Sequence, residues 1–426
     1  MTAACRYSKT KQSRLCCRRA VSLGVRLLSK LSASPSTLRQ TRGMSGGAPD
    51  QGIWLGLLKW SLAHSDGTAP SLHTNMSDED KAFLERVMRD FTRNEPERMK
   101  EIMLELVAFV DAAVASPSQA AANEERIAGL LEELQDIAEQ IDMAQVFCKF
   151  GGLQCILGIL EQDSLGFEVR SLSAGVLATL AQNNMQVQDM FYSQGVVPRL
   201  SVLALSSLSS EGTKPFAAKV MHSLSCTIRN HPTAEEFFSL NHGKQLFTSA
   251  LPLSPPSVLS SLASLSVPNT FSAATLACMR RAVHLADALL ASDTRSAPRL
   301  ALLLPAVVPA VFQCLALPDL DLREGTSRLL LTVMSIAKGH ATLTAAGPVR
   351  DAFLSTLARR KTMTLADDEQ EVHERAMVEQ LEALAEGPFT SVGHVERSAA
   401  DRGPDDDDEG GVEGEASAPR LLLGAP

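Results

Sequence analysis

Aromatic side chains are scarce, 4% of the 426 residues, and both tryptophans fall in one short stretch as Trp54 and Trp60. With few β-branched runs and abundant Leu and Ala, this composition argues against a sheet-rich core and for an array of helices. The eight cysteines form no Cys-x-x-Cys pair, so the spacing of a zinc or dithiol redox site is missing. Cys148, Cys155, Cys226, Cys278 and Cys314 fall at apolar helical positions and read as small core residues of a reducing compartment. The nine histidines are scattered. No His-Glu-x-x-His or Gly-x-Ser-x-Gly occurs, and Gly212-Thr213-Lys214 lacks the leading glycine of a phosphate loop. His64, Ser65 and Asp66 are adjacent in the chain, which suits a helix end and not a catalytic triad. These residues speak for no enzyme, no cofactor and no metal. No apolar run approaches membrane length, so no span is expected. A net charge of −9 lacks the clustered basic field that nucleic-acid binding requires.

What the chain does have is a repeat, clearest over residues 167–205. Val169, Leu172, Val176, Leu177 and Leu180 share one stripe of a long helix, which Asn183-Asn184 breaks. A short helix carries Val187, Met190 and Phe191, Gly195 ends it, and a third helix from Pro198 carries Leu200, Leu203 and Leu205. The same punctuation returns upstream as Phe147, Gly151-Gly152, Leu153 and Ile156. It returns downstream as Asn230-His231-Pro232, Phe237-Phe238, Gly243, Leu246 and Phe247, and again around Gly339-His340 and Gly347. Gly152, Gly195 and Gly243 are 43 and 48 residues apart. A step in the forties built from about three helices marks an armadillo-type solenoid, whose units cannot bury their apolar faces alone and must stack. The expected fold is therefore an all-α, armadillo-like superhelical solenoid of about four repeats with flanking helices.

Around the repeats the composition divides the chain. Residues 1–43 hold ten Lys or Arg and no acid, the composition of a mitochondrial transit peptide, unless Met44 is the initiator; cytoplasmic location is expected from Met44 and mitochondrial location from Met1. Residues 44–76 read as a linker around GIWLGLLKWSLAHSDG, a short amphipathic helix. Its Trp54, Leu57, Leu58 and Trp60 are candidate anchors, as a tethered peptide for a partner or as a helix docked on the solenoid's own first layer. Residues 77–140 supply capping helices: Ser77 to Asp80 opens one with the stripe Phe83, Leu84, Val87, Met88 and Phe91. Asn94-Glu95-Pro96 starts the next, with Met99, Ile102, Met103, Leu106 and Val110. Residues 115–125 read as a polar connection, followed by a helix over 126–140. Within 141–387 a Ser/Pro-rich insertion occupies 252–268, and Val372, Ala376, Met377, Leu381 and Leu384 give a final capping helix. Residues 388–426, with Asp405 to Asp408, have the composition of a disordered acidic tail.

In armadillo repeats the long third helix lines the concave face, where import adaptors hold basic peptides with Trp and Asn one turn apart. The corresponding pairs here are Gly175 with Thr179, His222 with Cys226, and Leu331 with Ser335. None is Trp with Asn, so the import mechanism is lost, while a general armadillo scaffold for another protein partner stays open. Arg170, Lys219, His222 and Arg328 are the polar positions on these helices that become candidate partner contacts.

The order WLGLLKWSLAHSDG, MSDEDKAFLERVM, LLEELQDIAEQIDMAQVFCKFGGLQCIL and EVRSLSAGVLATLAQNNMQVQDMF resembles the armadillo-type nucleotide-exchange factors of the 70-kDa heat-shock chaperone, the heat-shock-protein-70-binding protein family. The resemblance covers residues 52 to 251, and more weakly to 386. It is most specific in the Trp-rich opening and in Gln140-Ile141-Asp142-Met143-Ala144 leading to Phe147-Cys148-Lys149. Repeat four and the insertion depart from the family. The resemblance implies a monomeric, non-enzymatic regulator whose concave face grips one lobe of the chaperone's nucleotide-binding domain, displaces the other and lets ADP leave.

Overall fold

The computed structural model describes residues 78–79, 81–82, 94–115, 120–251, 271–363 and 369–387. The basic leader, the tryptophan segment, the stripe from Phe83 to Phe91, the insertion and the acidic tail lie outside the described residues.

Helix α1 (Glu95–Ala115) starts where the Asn94 side chain accepts the Glu97 N–H at 3.4 Å. It buries Met99, Ile102, Met103, Leu106 and Val110, the stripe that the spacing predicts. Helix α2 (Ala120–Ala138) begins inside the segment read as a polar connection. Its opening alanines are the strongest helix formers, and Glu124 has a tertiary task, accepting the Gly166 N–H at 2.9 Å.

The repeats follow in threes. The first is α3 (Ile141–Lys149), α4 (Gly152–Leu160) and α5 (Phe167–Ala181). The second is α6 (Met185–Ser193), α7 (Val196–Ser207) and α8 (Lys214–Ile228). The third runs from α9 (Pro232–Phe238) through a π turn (Ser239–Gly243) into α10 (Lys244–Ala250), then α11 (Ala273–Ala291). The fourth has α12 (Ala297–Val311), a 3-10 turn (Phe312–Ala316) and α13 (Leu320–Met334), and the fifth α14 (Ala337–Thr344), α15 (Pro348–Met363) and α16 (Glu369–Glu386). Among the described residues there is no strand. The last helix of each unit packs on that of the next, giving a row α2, α5, α8, α11, α13, α16, with α4, α7, α10, α12 and α15 behind it. Phe216, Val220 and Leu224 of α8 and Met279, Leu285 and Leu289 of α11 are buried in this stack, which no unit could achieve alone.

The joints explain the punctuation. Gly151 (φ 84°) and Gly195 (φ 70°) turn the first helix of a unit into the second through the left-handed region. At the ends of α5 and α8 the same conformation falls to Asn183 (φ 53°) and Asn230 (φ 63°), a residue type that tolerates it. The next residue then caps: Asn184 accepts the Val187 N–H, and His231 Nδ1 accepts the Ala234 N–H at 3.0 Å. Gly243, expected to punctuate likewise, has φ −56° within the π turn. Its lack of a side chain serves close packing instead, since a Cβ there would sit 3.0 Å from Leu303 Cδ2.

Unit four has no first helix, and a polar clamp stands in that place. Glu235 accepts the Asn230 N–H (3.0 Å), the Ser292 hydroxyl (2.7 Å) and the fully buried Arg299 (3.0 Å). Glu236 takes the hydroxyl of Ser296, the residue that caps α12. The stretch Ala297–Ala316 is long and apolar enough to cross a membrane by composition, contrary to the expectation from sequence. Its apolar side chains, Leu303, Leu304, Val307, Val308 and Phe312 among them, are buried inside the stack. In α16 the buried set is Glu374, Met377, Val378, Leu381 and Ala385, while Val372 and Ala376 are exposed. The expected stripe is rotated because Arg323 (3.0 Å) and Arg360 (2.6 Å) draw the Glu374 carboxylate inward.

Candidate partner-binding face

The outward side of the row α5–α8–α11–α13 is where side chains of successive units meet. On α8 Lys219, His222 and Cys226 recur every three or four residues and so share one face, and Arg229 follows as the residue that caps the helix C-terminus. Lys219 and Arg229 are exposed and His222 half-buried, its Nε2 3.9 Å from Cys226 Sγ. The register to α11 is fixed near the helix starts, where Lys214 Nζ donates to Thr275 Oγ1 (2.7 Å) and Cys278 Sγ donates to the Lys214 carbonyl (3.3 Å). That offset sets Lys219 and His222 at the level of Arg281, His284 and Asp287. Thr332 of α13 donates to Asp287 at 2.7 Å and so ties the next rung. A Cβ on Gly325 would lie 3.6 Å from His284 Cε1, an ordinary van der Waals contact, so Gly325 of α13 faces the imidazole directly.

The electrostatics show the grouping. Burial, followed by the charges of Arg328, Arg281 and Arg229, holds His284 below the ordinary imidazole value, with Asp287 acting the other way. His284 is therefore neutral at pH 7 in a field of three arginines and one aspartate. Arg280, also on α11, is matched by Asp319 (3.0 Å) and Asp321 (3.2 Å). The row thus carries a basic band across three rungs in a chain whose net charge is −9. Such a band can hold an acidic surface or segment and steer its approach.

Three of the residues singled out from sequence, Lys219, His222 and Arg328, stand on this band. Arg170, the fourth candidate contact, is not on the band's surface. It is buried, its Nε donates to the Leu160 carbonyl (2.9 Å), its Nη2 lies 3.3 Å from Asp163, and its guanidinium sits 4.8 Å from the Phe216 ring centroid. Burial lowers its pKa while Asp163 and Glu161 raise it. The residue is a structural hook, as are two others: Arg299 reaches the Leu289 carbonyl (3.3 Å) and Arg323 the Pro318 carbonyl (2.7 Å). Trp54, Leu57, Leu58 and Trp60 lie outside the described residues. Gly175 and Thr179 are half-buried, and a Cβ on Gly175 would come within 3.0 Å of Gln135 Oε1 of α2. Leu331 and Ser335 are half-buried on α13.

Sequence reasoning missed Arg229, Arg281 and His284. A signal existed: Lys219-x-x-His222 and Arg281-x-x-His284 place a base and a histidine one turn apart on neighbouring rungs. The thiols of Cys148 and Cys314 are pushed up to about 12 by burial, which keeps them unreactive. Among the described residues no group of three or more His, Cys, Asp and Glu is placed to hold a metal ion.

No family model matches the chain. Designed armadillo repeat proteins are among its structural neighbours. One, for modular peptide recognition, is 12% identical with TM-score 0.43, covering 66% of this chain and 98% of its own. Another, in complex with the peptide (KR)4, is 13% identical with TM-score 0.42, covering 68% and 99%. Among curated proteins, Hsp70-binding protein 1 of Mus musculus is 24% identical over 177 residues, and that of Homo sapiens 27% over 178, each match covering 41% of this chain and 48% of the relative. Nucleotide exchange factor SIL1 of Rattus norvegicus is 30% identical over 133 residues, 31% of this chain and 27% of that protein. The chain thus spans about half the length of the Hsp70-binding proteins it matches. Across that stretch the chain is similar to the Hsp70-binding proteins, and its described residues are built as an all-α solenoid.

Proposed function

We propose that this protein is a co-chaperone of the 70-kDa heat-shock chaperone, binding its nucleotide-binding domain through the basic band and promoting release of ADP. The observation that carries the reading is the pair of relatives named for Hsp70 binding and for nucleotide exchange, joined to a solenoid face that gathers charge from three units. The chemistry asked of the protein is mechanical. A rigid stack of packed helices binds one arrangement of a two-lobed partner more tightly than another, and the equilibrium moves by that differential affinity. No residue acts on a covalent bond, and the band's work is to orient and accelerate encounter.

Lys219→Glu with Arg229→Glu tests the face, because both side chains are exposed and their replacement spares the core. The expected outcome is a roughly tenfold or greater loss of accelerated ADP release at fixed protein concentration, with a weaker salt dependence. Release at the unmodified rate would place the contact elsewhere.

A further inference from the structure

The densest acid run of the chain is its own: Asp405, Asp406, Asp407, Asp408 and Glu409 stand in line, eighteen residues and more beyond Gly387. Between 388 and 426 there are nine acids against three arginines. The basic band, with the exposed Lys219 and Arg229 on one rung and Arg281, Asp287 and Arg328 on the next two, is the complementary surface on the described residues.

Distance permits the two to meet. The row from α16 to α8 passes α13 and α11, each step packing helix on helix. At about 8–10 Å per step the band's near and far edges lie roughly 10 to 30 Å from α16. Eighteen residues of coil have a root-mean-square reach of about 23 Å and a limit near 60 Å. The match between reach and span gives a tethered segment an effective concentration on the order of millimolar, where even a weak ionic contact is populated.

We propose that residues 405–409 dock on the basic band of the same chain, so that the free protein covers the face it would offer to an acidic partner. The band's role as a docking face rests on the functional reading above, whereas the intramolecular contact does not depend on who the partner is. An acidic partner must then displace the tail, and removing the tail's charge exposes the band.

The test uses the full-length chain and no chaperone. In the first arm, zero-length carbodiimide coupling joins the Lys219 amine to a carboxylate of 405–409 in the monomer band at low salt, and the product disappears near 1 M salt, where the screening length is about 3 Å. A cross-link confined to a dimer band would assign the tail to a second copy and overturn the proposal, as would no cross-link at low salt. In the second arm, a labelled peptide of residues 401–415 is titrated onto the wild type and onto a chain carrying Asp405→Asn, Asp406→Asn, Asp407→Asn, Asp408→Asn and Glu409→Gln. The peptide binds the neutral-tail chain at least about tenfold more tightly, because its site is no longer occupied. Adding Lys219→Glu and Arg229→Glu to that chain removes the gain. Equal affinity for both tails, binding indifferent to the charge reversal, or no binding to either chain overturns the proposal and leaves the chaperone reading standing.

Discussion

Arg170 and Lys219 look alike in a sequence, both cations on a long helix, yet they do opposite work. Arg170 satisfies the Leu160 carbonyl from inside the stack, and its loss leaves that acceptor buried without a partner. Arg170→Ala is therefore expected to cost about 1–3 kcal/mol in chemical denaturation. Lys219→Ala, at an exposed position, should stay within about 0.5 kcal/mol of wild type. Glu235 matters likewise, because Glu235→Ala takes away the carboxylate at 3.0 Å from Nη1 of the fully buried Arg299 and leaves it only Glu236, at 3.2 Å from Nε; a loss of about 1–3 kcal/mol is expected by the same measurement. Glu374 adds a pH dependence. Burial raises its pKa, but hydrogen bonds from Arg360 and Arg323 outweigh that and leave it lowered. The folded chain then binds this proton less readily than the unfolded one. The stability it contributes is present above the unfolded value of about 4.3 and is lost as pH falls below it. The urea midpoint of Glu374→Gln should accordingly approach that of wild type on acidification.

At the scale of elements, the helix joints were readable because their cause is local. Gly151, Gly195, Asn183 and Asn230 are residue types that accept the left-handed region, and they fall where the apolar stripes stop. Gly243 was not readable, since its tight neighbour Leu303 comes from another unit. Arg170 was misread for a related reason: periodicity shows which stripe is polar but not which carbonyl of the preceding helix turns toward it. Arg281 and His284 were missed because residues 252–270 interrupt the repeat step, which hid their register against Lys219 and His222. The rotated stripe of α16 needed Arg323 and Arg360, both distant in sequence. Gly339 marks another close joint, where a Cβ would meet the Val333 carbonyl oxygen at 2.3 Å. Backbone cannot yield as a side chain can, so Gly339→Ala should lower stability by about 1–3 kcal/mol in thermal melts.

For the whole molecule, the proposed function turns on coupling between the stacked units and a partner with two states. A scaffold that only holds the chaperone would bind it equally whatever its nucleotide. An exchange factor binds the open nucleotide-binding domain more tightly, so binding and ADP release are linked, and ADP must weaken the protein's affinity by the factor with which the protein weakens ADP's. The most direct measurement is the affinity of this chain for the 70-kDa heat-shock chaperone with and without saturating ADP, taken beside ADP affinity with and without the chain. The account predicts that both affinities fall by one common factor and that ADP release quickens. Equal affinity for the chaperone in the two conditions would contradict it.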